Sequence, residues 1–214
     1  MAQHHERQII DMEPLLKLVC LGAPQVWLGE TLLSTRLSGK ALALFIYLAL
    51  TGQSHGRDLL ADLLWSELPN QQARNNLRYL LPELRKVVGD YLLITPQTLG
   101  FNRQTAYWLD VELLQTTLAT PPAAISTVAL QAALDLYQEE FLAGFSVRNA
   151  PVFEVWLVQQ RAMFHELAMQ GLYTLAERYQ QAGNLQAGLA TMQRLLQWEP
   201  WHEAAHRLQI QLLA

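Results

Sequence analysis

This sequence has one cysteine, Cys20, so the chain can close no disulfide on itself and build no thiolate metal site. Glycine-rich phosphate loops are missing too, because Gly22, Gly29, Gly39 and Gly52 stand alone at turns. No apolar run approaches the roughly 18 residues that a membrane-crossing helix needs. The chain does not open on a charged-then-apolar secretory leader either. Positive charge is scarce. Fifteen basic against 19 acidic side chains leave a net charge of -4, which argues against broad, sequence-blind binding to nucleic acid. What is there is a chain of 214 residues, 51% of them hydrophobic, enough for the cores of two ordinary domains.

The scarce positive charge is concentrated in residues 71–89, QQARNNLRYLLPELRKVVG. Ala73, Leu77, Leu80, Leu84 and Val87 or Val88 recur at helical spacing and form one apolar stripe. Arg74, Asn75, Arg78, Pro82, Arg85 and Lys86 lie across or beside the opposite face. A helix that enters the major groove needs an apolar back to hold it and a polar front for phosphates and base edges. The same pattern also fits a plain amphipathic helix with a solvated basic face. Pro82 is the discordant residue: it deletes the amide that would bond to the Arg78 carbonyl, at a cost of about 3 kcal/mol in an average helix. It predicts a bend, or a division of the helix into two pieces.

The surroundings give this helix a context. KALALFIYLAL, from Lys40 to Leu50, reads as a central helix covered on several sides, and the polar stretch 52–56 as a connector. Residues 57–68, RDLLADLLWSEL, form a second helix with Leu60, Leu63, Leu64 and Trp65 inward, stopped by Pro69. Gly89 suits a left-handed cap at the end of the third helix. The β-favouring runs 92–95 and 98–101 flank Pro96 and Gln97 as a hairpin, with 108–111 as its returning edge. Three helices and a hairpin make a winged helix-turn-helix whose last helix reads DNA. Ahead of it, LKLVCL, QVWL and residues 31–34 form a short antiparallel sheet that buries Trp27. Residues 1–14 read as a flexible leader in which His4 and His5 are weak metal candidates.

The second half is helical throughout. Pro121 and Pro122 mark a loop; helices follow over 128–141, 152–182 and 185–198 and from Trp201 onward, with Phe145 turned back into the core. Phe153, Trp156, Met163 and Phe164 read as core. Leu172, Leu175, Ala176 and Tyr179, then Gly183-Asn184, then Gly188, Met192, Leu195 and Pro200 fit a tetratricopeptide unit, which stacks on neighbours to bury its apolar face. The sequence stops at RLQIQLLA, inside what would be the next helix, as expected of a piece of a longer protein. HEAAH at 202–206 matches the zinc-protease motif H-E-x-x-H, but no third ligand is evident, and the match suits a helical repeat equally well. No enzyme, cofactor or resident metal is expected.

RDLLADLLWSELPNQQARNNLRYLLPELRKVVGDYLL with GFNRQTAYWLDVELL, and later FLAGF, resemble the Streptomyces antibiotic regulatory protein type of bacterial regulator. That family pairs an OmpR-like winged helix with a bacterial transcriptional activator domain. The resemblance implies a DNA-binding domain over 15–111 and a tetratricopeptide-like activator domain over 112–214, working in the cytoplasm. It places Arg74, Asn75, Arg78, Arg85 and Lys86 at double-stranded DNA, with Arg103 near the wing. Pro82 departs from the small polar residue or histidine usual at its position. On that footing Asn75 suits adenine and Arg78 guanine, while Arg74, Arg85, Lys86 and Arg103 hold phosphates. The charge agrees in sign: residues 15–110 carry nine basic and seven acidic side chains, and residues from 111 onward five and nine. So small an excess calls for a second copy, as a homodimer or on tandem sites, or for a protein partner such as RNA polymerase on the helical half. The competing reading is a protein-interaction module whose winged helix no longer reads DNA.

Overall fold

The computed structural model describes residues 15–121 and 124–213. The expected leader with His4 and His5, together with Pro122, lies outside them. The N-terminal sheet runs in the order β3-β2-β1-β7, from β1 (Leu16–Val19), β2 (Gln25–Leu28), β3 (Thr31–Leu32) and β7 (Tyr107–Leu109). Strands β1 to β3 are antiparallel as expected, but β7 lies parallel to β1, pairing Leu16 with Tyr107 and Leu18 with Leu109. The run 108–111 is therefore not the returning edge of the hairpin; it ties the end of the winged helix back to its beginning. Val26, fully buried, fills the place expected of Trp27, which is only half-buried because it occupies the opposite face of β2.

Helix α1 (Gly39–Thr51) is buried almost all round, capped by the Ser38 hydroxyl and ended by Gly52 in the left-handed region. The connector beyond it contains a strand missed in the sequence, β4 (His55–Gly56), paired with residues 98–99 of the hairpin. Helix α2 (Arg57–Trp65) stops a turn earlier than the expected Leu68, and Leu60, Leu63, Leu64 and Trp65 are buried. Helix α3 (Asn70–Val88) is continuous through Pro82. Its buried stripe is Ala73, Leu77, Leu80, Leu81, Leu84 and Val88. Gly89 is no left-handed cap: it has right-handed dihedrals and leads straight into a single turn over Gly89–Tyr91. The hairpin is β5 (Leu92–Ile94) and β6 (Thr98–Phe101), turned by Thr95, whose hydroxyl accepts from the amides of Gln97 and Thr98.

The helical half comprises α4 (Asp110–Ala119), α5 (Thr127–Leu134), α6 (Pro151–Gln181), α7 (Leu185–Trp198) and α8 (Glu203–Leu213). The expected boundary between residues 111 and 112 falls inside α4. Helix α5 is shorter than the expected 128–141, because Arg194 donates to the carbonyls of Leu134 and Tyr137 and closes its end. Phe141 then leaves the helix and bridges Leu21. Met163 is exposed rather than in the core, Trp156 and Phe145 are half-buried, and Phe153 and Phe164 are fully buried. Gly171 has a packing reason: a β-carbon there would stand 2.7 Å from a methyl of Leu134 and 2.9 Å from one of Leu118. Gly188 likewise lies against Leu212 and Tyr179, at the crossing expected of a tetratricopeptide pair.

The two halves share one apolar core. FLAGF makes the join: Leu142 N–H donates to the Cys20 carbonyl at 2.8 Å, Ala143 N–H to Gly22 at 3.0 Å, and Gly22 N–H to Glu140 at 3.1 Å. Tyr47 of α1 meets Trp156 of α6 edge-on, and Lys40 Nζ donates to the carbonyls of Leu64 and Asn149. Burial beside the Asp110 carboxylate pushes the Cys20 thiol well above its ordinary range. Cys20 should therefore resist a thiol-reactive dye in the folded chain and react fully in denaturant; rapid labelling of folded protein would contradict this packing.

Candidate nucleic-acid interface

Three elements meet at one groove. The N-terminus of α2 supplies Gly56, Arg57 and Asp58; α3 supplies Arg74, Asn75, Leu77 and Arg78; the hairpin turn supplies Pro96 and Gln97. The cavity between them is about 460 Å³. Pairing of β4 with β6 brings the hairpin to this place, and Arg57 N–H fixes it by donating to the Gln97 carbonyl at 3.0 Å.

Successive helical residues turn by about 100°, so Arg74, Arg85, Arg78, Pro82, Asn75 and Lys86 fan across the face opposite the buried leucines. All six are exposed. The structure nonetheless divides the expected set. Arg74, Asn75 and Arg78 share the groove, and Arg78 has no hydrogen-bond or ion-pair partner among the described residues. Lys86 lines a separate hollow with Arg36 and Glu83, beside the N-terminal sheet. Arg103 is not at the hairpin turn. It lies over Gly52, ion-pairs with Glu112 at 3.0 Å and donates to the Ala49 carbonyl, at the foot of the hairpin. Glu83 holds α3 in place by accepting from both the amide and the hydroxyl of Ser38, the cap of α1.

Arg57 was missed by sequence reasoning, since an arginine opening an amphipathic helix looks like ordinary solvated charge. In the fold it donates from Nη2 to the Thr95 carbonyl at 2.6 Å, while its Nε is buried without a partner. Tyr79 is 78% exposed on the outer face of α3. Arg74 is held by Asp58 through two parallel contacts, Nε to Oδ1 at 2.6 Å and Nη2 to Oδ2 at 2.7 Å. Both side chains are more than half exposed, so the pair is worth only about 0.2–1 kcal/mol to folding. Three guanidinium groups and one carboxylate leave this groove net positive, with amide groups at Asn75 and Gln97 for hydrogen bonding. Such a surface can neutralise phosphates and meet base edges.

Four of the five arginines of the helical half are otherwise engaged. Arg161 grips the carbonyls of Phe141, Leu142 and Phe145, Arg178 that of Ile125, Arg194 the end of α5, and Arg207 the carboxylate of Glu203. In HEAAH, His202 Nδ1 accepts from Ala205 N–H as the cap of α8, and His206 Nε2 lies 2.8 Å from the Pro200 carbonyl. The two histidines thus serve the helix start, and among the described residues no group of three or more metal-binding side chains is gathered. No described helix is long and apolar enough to cross a membrane.

Residues 114–214 match the family model of the bacterial transcriptional activator domain. The match takes in the last part of α4 and all of α5 to α8. The whole chain is similar in fold to a solved structure of Mycobacterium tuberculosis EmbR in complex with a low-affinity phosphopeptide, with a TM-score of 0.69 and 20% identity. That likeness covers 94% of this chain and 55% of the other, so the chain spans about half the length of the structure it matches. No curated protein matches it. The chain therefore joins a winged-helix fold to an all-helical half that is similar to the activator domain of that family model.

Proposed function

We propose that the chain is a sequence-specific double-stranded DNA-binding transcriptional regulator. Helix α3 enters the major groove and the β5–β6 hairpin lies on the adjacent backbone or minor groove. The observation that carries this reading is the groove itself, where Arg57, Arg74, Asn75, Arg78 and Gln97 come together from α2, α3 and the hairpin. The DNA-binding domain spans 15–111 and the activator domain 112–214, with the second contributing the contacts to RNA polymerase or another protein. The modest charge of the first domain calls for a homodimer or for tandem copies on repeated sites. The competing reading, in which Pro82 has ended DNA recognition, loses its main support because α3 is unbroken.

Selection from a random duplex library tests the proposal. An enriched motif bound at sub-micromolar concentration supports it, whereas salt-sensitive binding without enrichment supports the protein-interaction reading. Within the groove, Arg78 reads a guanine and Asn75 an adenine. Arg78→Ala should relax discrimination at one base pair by about 1–3 kcal/mol. Lys86→Ala, outside the groove, should weaken all duplexes alike and lower the salt slope by about one. Base-by-base titrations of the two variants check this, and an unchanged profile in Arg78→Ala would remove Arg78 from the reading set.

A further inference from the structure

The geometry of the Arg74–Asp58 pair points to a role for Arg74 different from the phosphate contact its sequence position suggests: we infer that Asp58 is a positioning residue that aims Arg74 at a guanine. This rests on the DNA-binding reading above and deepens it. A guanidinium has two bidentate edges. The side edge presents Nε–H and one Nη–H; the end presents an N–H from each Nη. Asp58 occupies the side edge, with Oδ1 2.6 Å from Nε and Oδ2 2.7 Å from Nη2. Nη1 and the second hydrogen of Nη2 have no partner among the described residues. The end-on fork is therefore left open, and this is the pair of donors that matches O6 and N7 of guanine.

A second observation separates this arrangement from a chance surface pair. Arg74 and Asp58 both line the groove that holds Asn75, Arg78 and Gln97, and Asp58 sits in the first turn of α2, the helix packed against α3. A carboxylate on this surface is a liability for phosphate binding, since it repels the DNA backbone and competes for the guanidinium. It becomes useful when the arginine must hold one plane and one direction, because a flexible side chain fixed in advance loses less freedom on binding. Arg78, which has no such partner, keeps its freedom and serves as the more adaptable reader.

The test compares wild type with Asp58→Asn, Asp58→Glu, Arg74→Ala and Arg74→Lys in the full chain. Each is titrated against the duplex selected by wild type and against versions with every base pair replaced in turn. Arg74→Ala should erase a preference of roughly 10- to 100-fold for one G·C pair. Arg74→Lys should erase most of it, since an ammonium cannot bond to Asp58 and to both guanine acceptors in the same planar way. Asp58→Asn should reduce the preference at that same base pair while leaving binding to unrelated duplexes equal or tighter, and Asp58→Glu should restore part of it. A uniform gain on all duplexes in Asp58→Asn, with the base profile unchanged, would overturn the inference and make Asp58 a mere competitor of phosphate. A uniform loss in Arg74→Ala would overturn it as well. Those two results leave the DNA-binding reading standing, whereas failure of wild type to enrich any sequence removes both.

Discussion

Asp110→Ala should cost the folded chain about 3–5 kcal/mol, a large share of the stability of a chain this size. Asp110 is only 2% exposed. Its Oδ2 accepts the amides of Cys20 at 2.7 Å and Leu21 at 2.8 Å, and its Oδ1 the amide of Val111 at 2.7 Å. Alanine would strand three buried donors, each worth about 1–3 kcal/mol when unpaired, partly offset by water entering the space and by relief of the buried carboxylate. The same few residues carry the FLAGF contacts, so the junction of the two halves should loosen first. Asp110→Asn keeps an acceptor oxygen and should lose less. Burial raises the Asp110 carboxyl above its ordinary value of 3.8, while the amides of Leu21, Cys20, Val111 and Asp110 itself pull the other way. Between pH 3.8 and that raised value the folded chain holds a proton that the unfolded chain has released. Stability from this group is therefore present below 3.8 and falls as pH rises through the window. Urea unfolding across pH measures both effects: the difference between wild type and Asp110→Asn should carry that slope, and equal stability of wild type and Asp110→Ala would contradict the role given to the carboxylate.

Pro82→Ala is expected to act in the opposite direction. The helix runs unbroken from Asn70 to Val88 with Pro82 exposed on its outer face. It is kept in one piece by Leu80, Leu81, Leu84 and Val88 in the core and by the grip of Glu83 on Ser38. Those contacts offset the missing bond to the Arg78 carbonyl. Alanine restores the amide and removes the ring clash, which should stabilise the chain by about 1–3 kcal/mol. At roughly 2–4 °C per kcal/mol for a chain of this length, the melting temperature should rise by about 2–12 °C. The same variant should shift or sharpen base preference, since Arg85 lies in the turn just beyond Pro82. An unchanged or lower melting temperature would show that the proline suits its site, and the continuous recognition helix would have to be given up.

Much of the fold was legible because period and punctuation agree. The stripe of α3 and the α6–α7 pair show 3.6-residue spacing, and α1 is a long apolar run ended by Gly52, so their existence did not depend on distant contacts. The misreadings fall where long-range pairing decides. Residues 107–109 favour a strand in any setting, and only the fold chooses β1 over the hairpin as their partner. His55–Gly56 is too short to announce itself and becomes a strand because β6 lies beside it. Gly89 sits where a left-handed cap is common, yet the chain tightens into another right-handed turn and brings Tyr91 into the core. The candidate site divides in the same way. Arg74, Asn75 and Arg78 follow from helical spacing alone. Arg57 and Asp58 belong to the site only through the packing of α2 on α3 and of the hairpin on α2, and Arg103 leaves it because Glu112 and the Ala49 carbonyl are nearer partners.

The central claim, sequence-specific recognition through the groove of α2, α3 and the hairpin, is tested most directly by one titration. Labelled duplex carrying the selected sequence as a direct repeat, and a scrambled duplex of equal length, are each titrated with the chain at about 0.15 M salt. Wild type should bind the selected duplex at least about 10³-fold more tightly than the scrambled one, and the double variant Arg74→Ala/Arg78→Ala should lose most of that ratio while still melting as a folded protein. Equal affinity of wild type for the two duplexes, or a ratio untouched by the double variant, would contradict it.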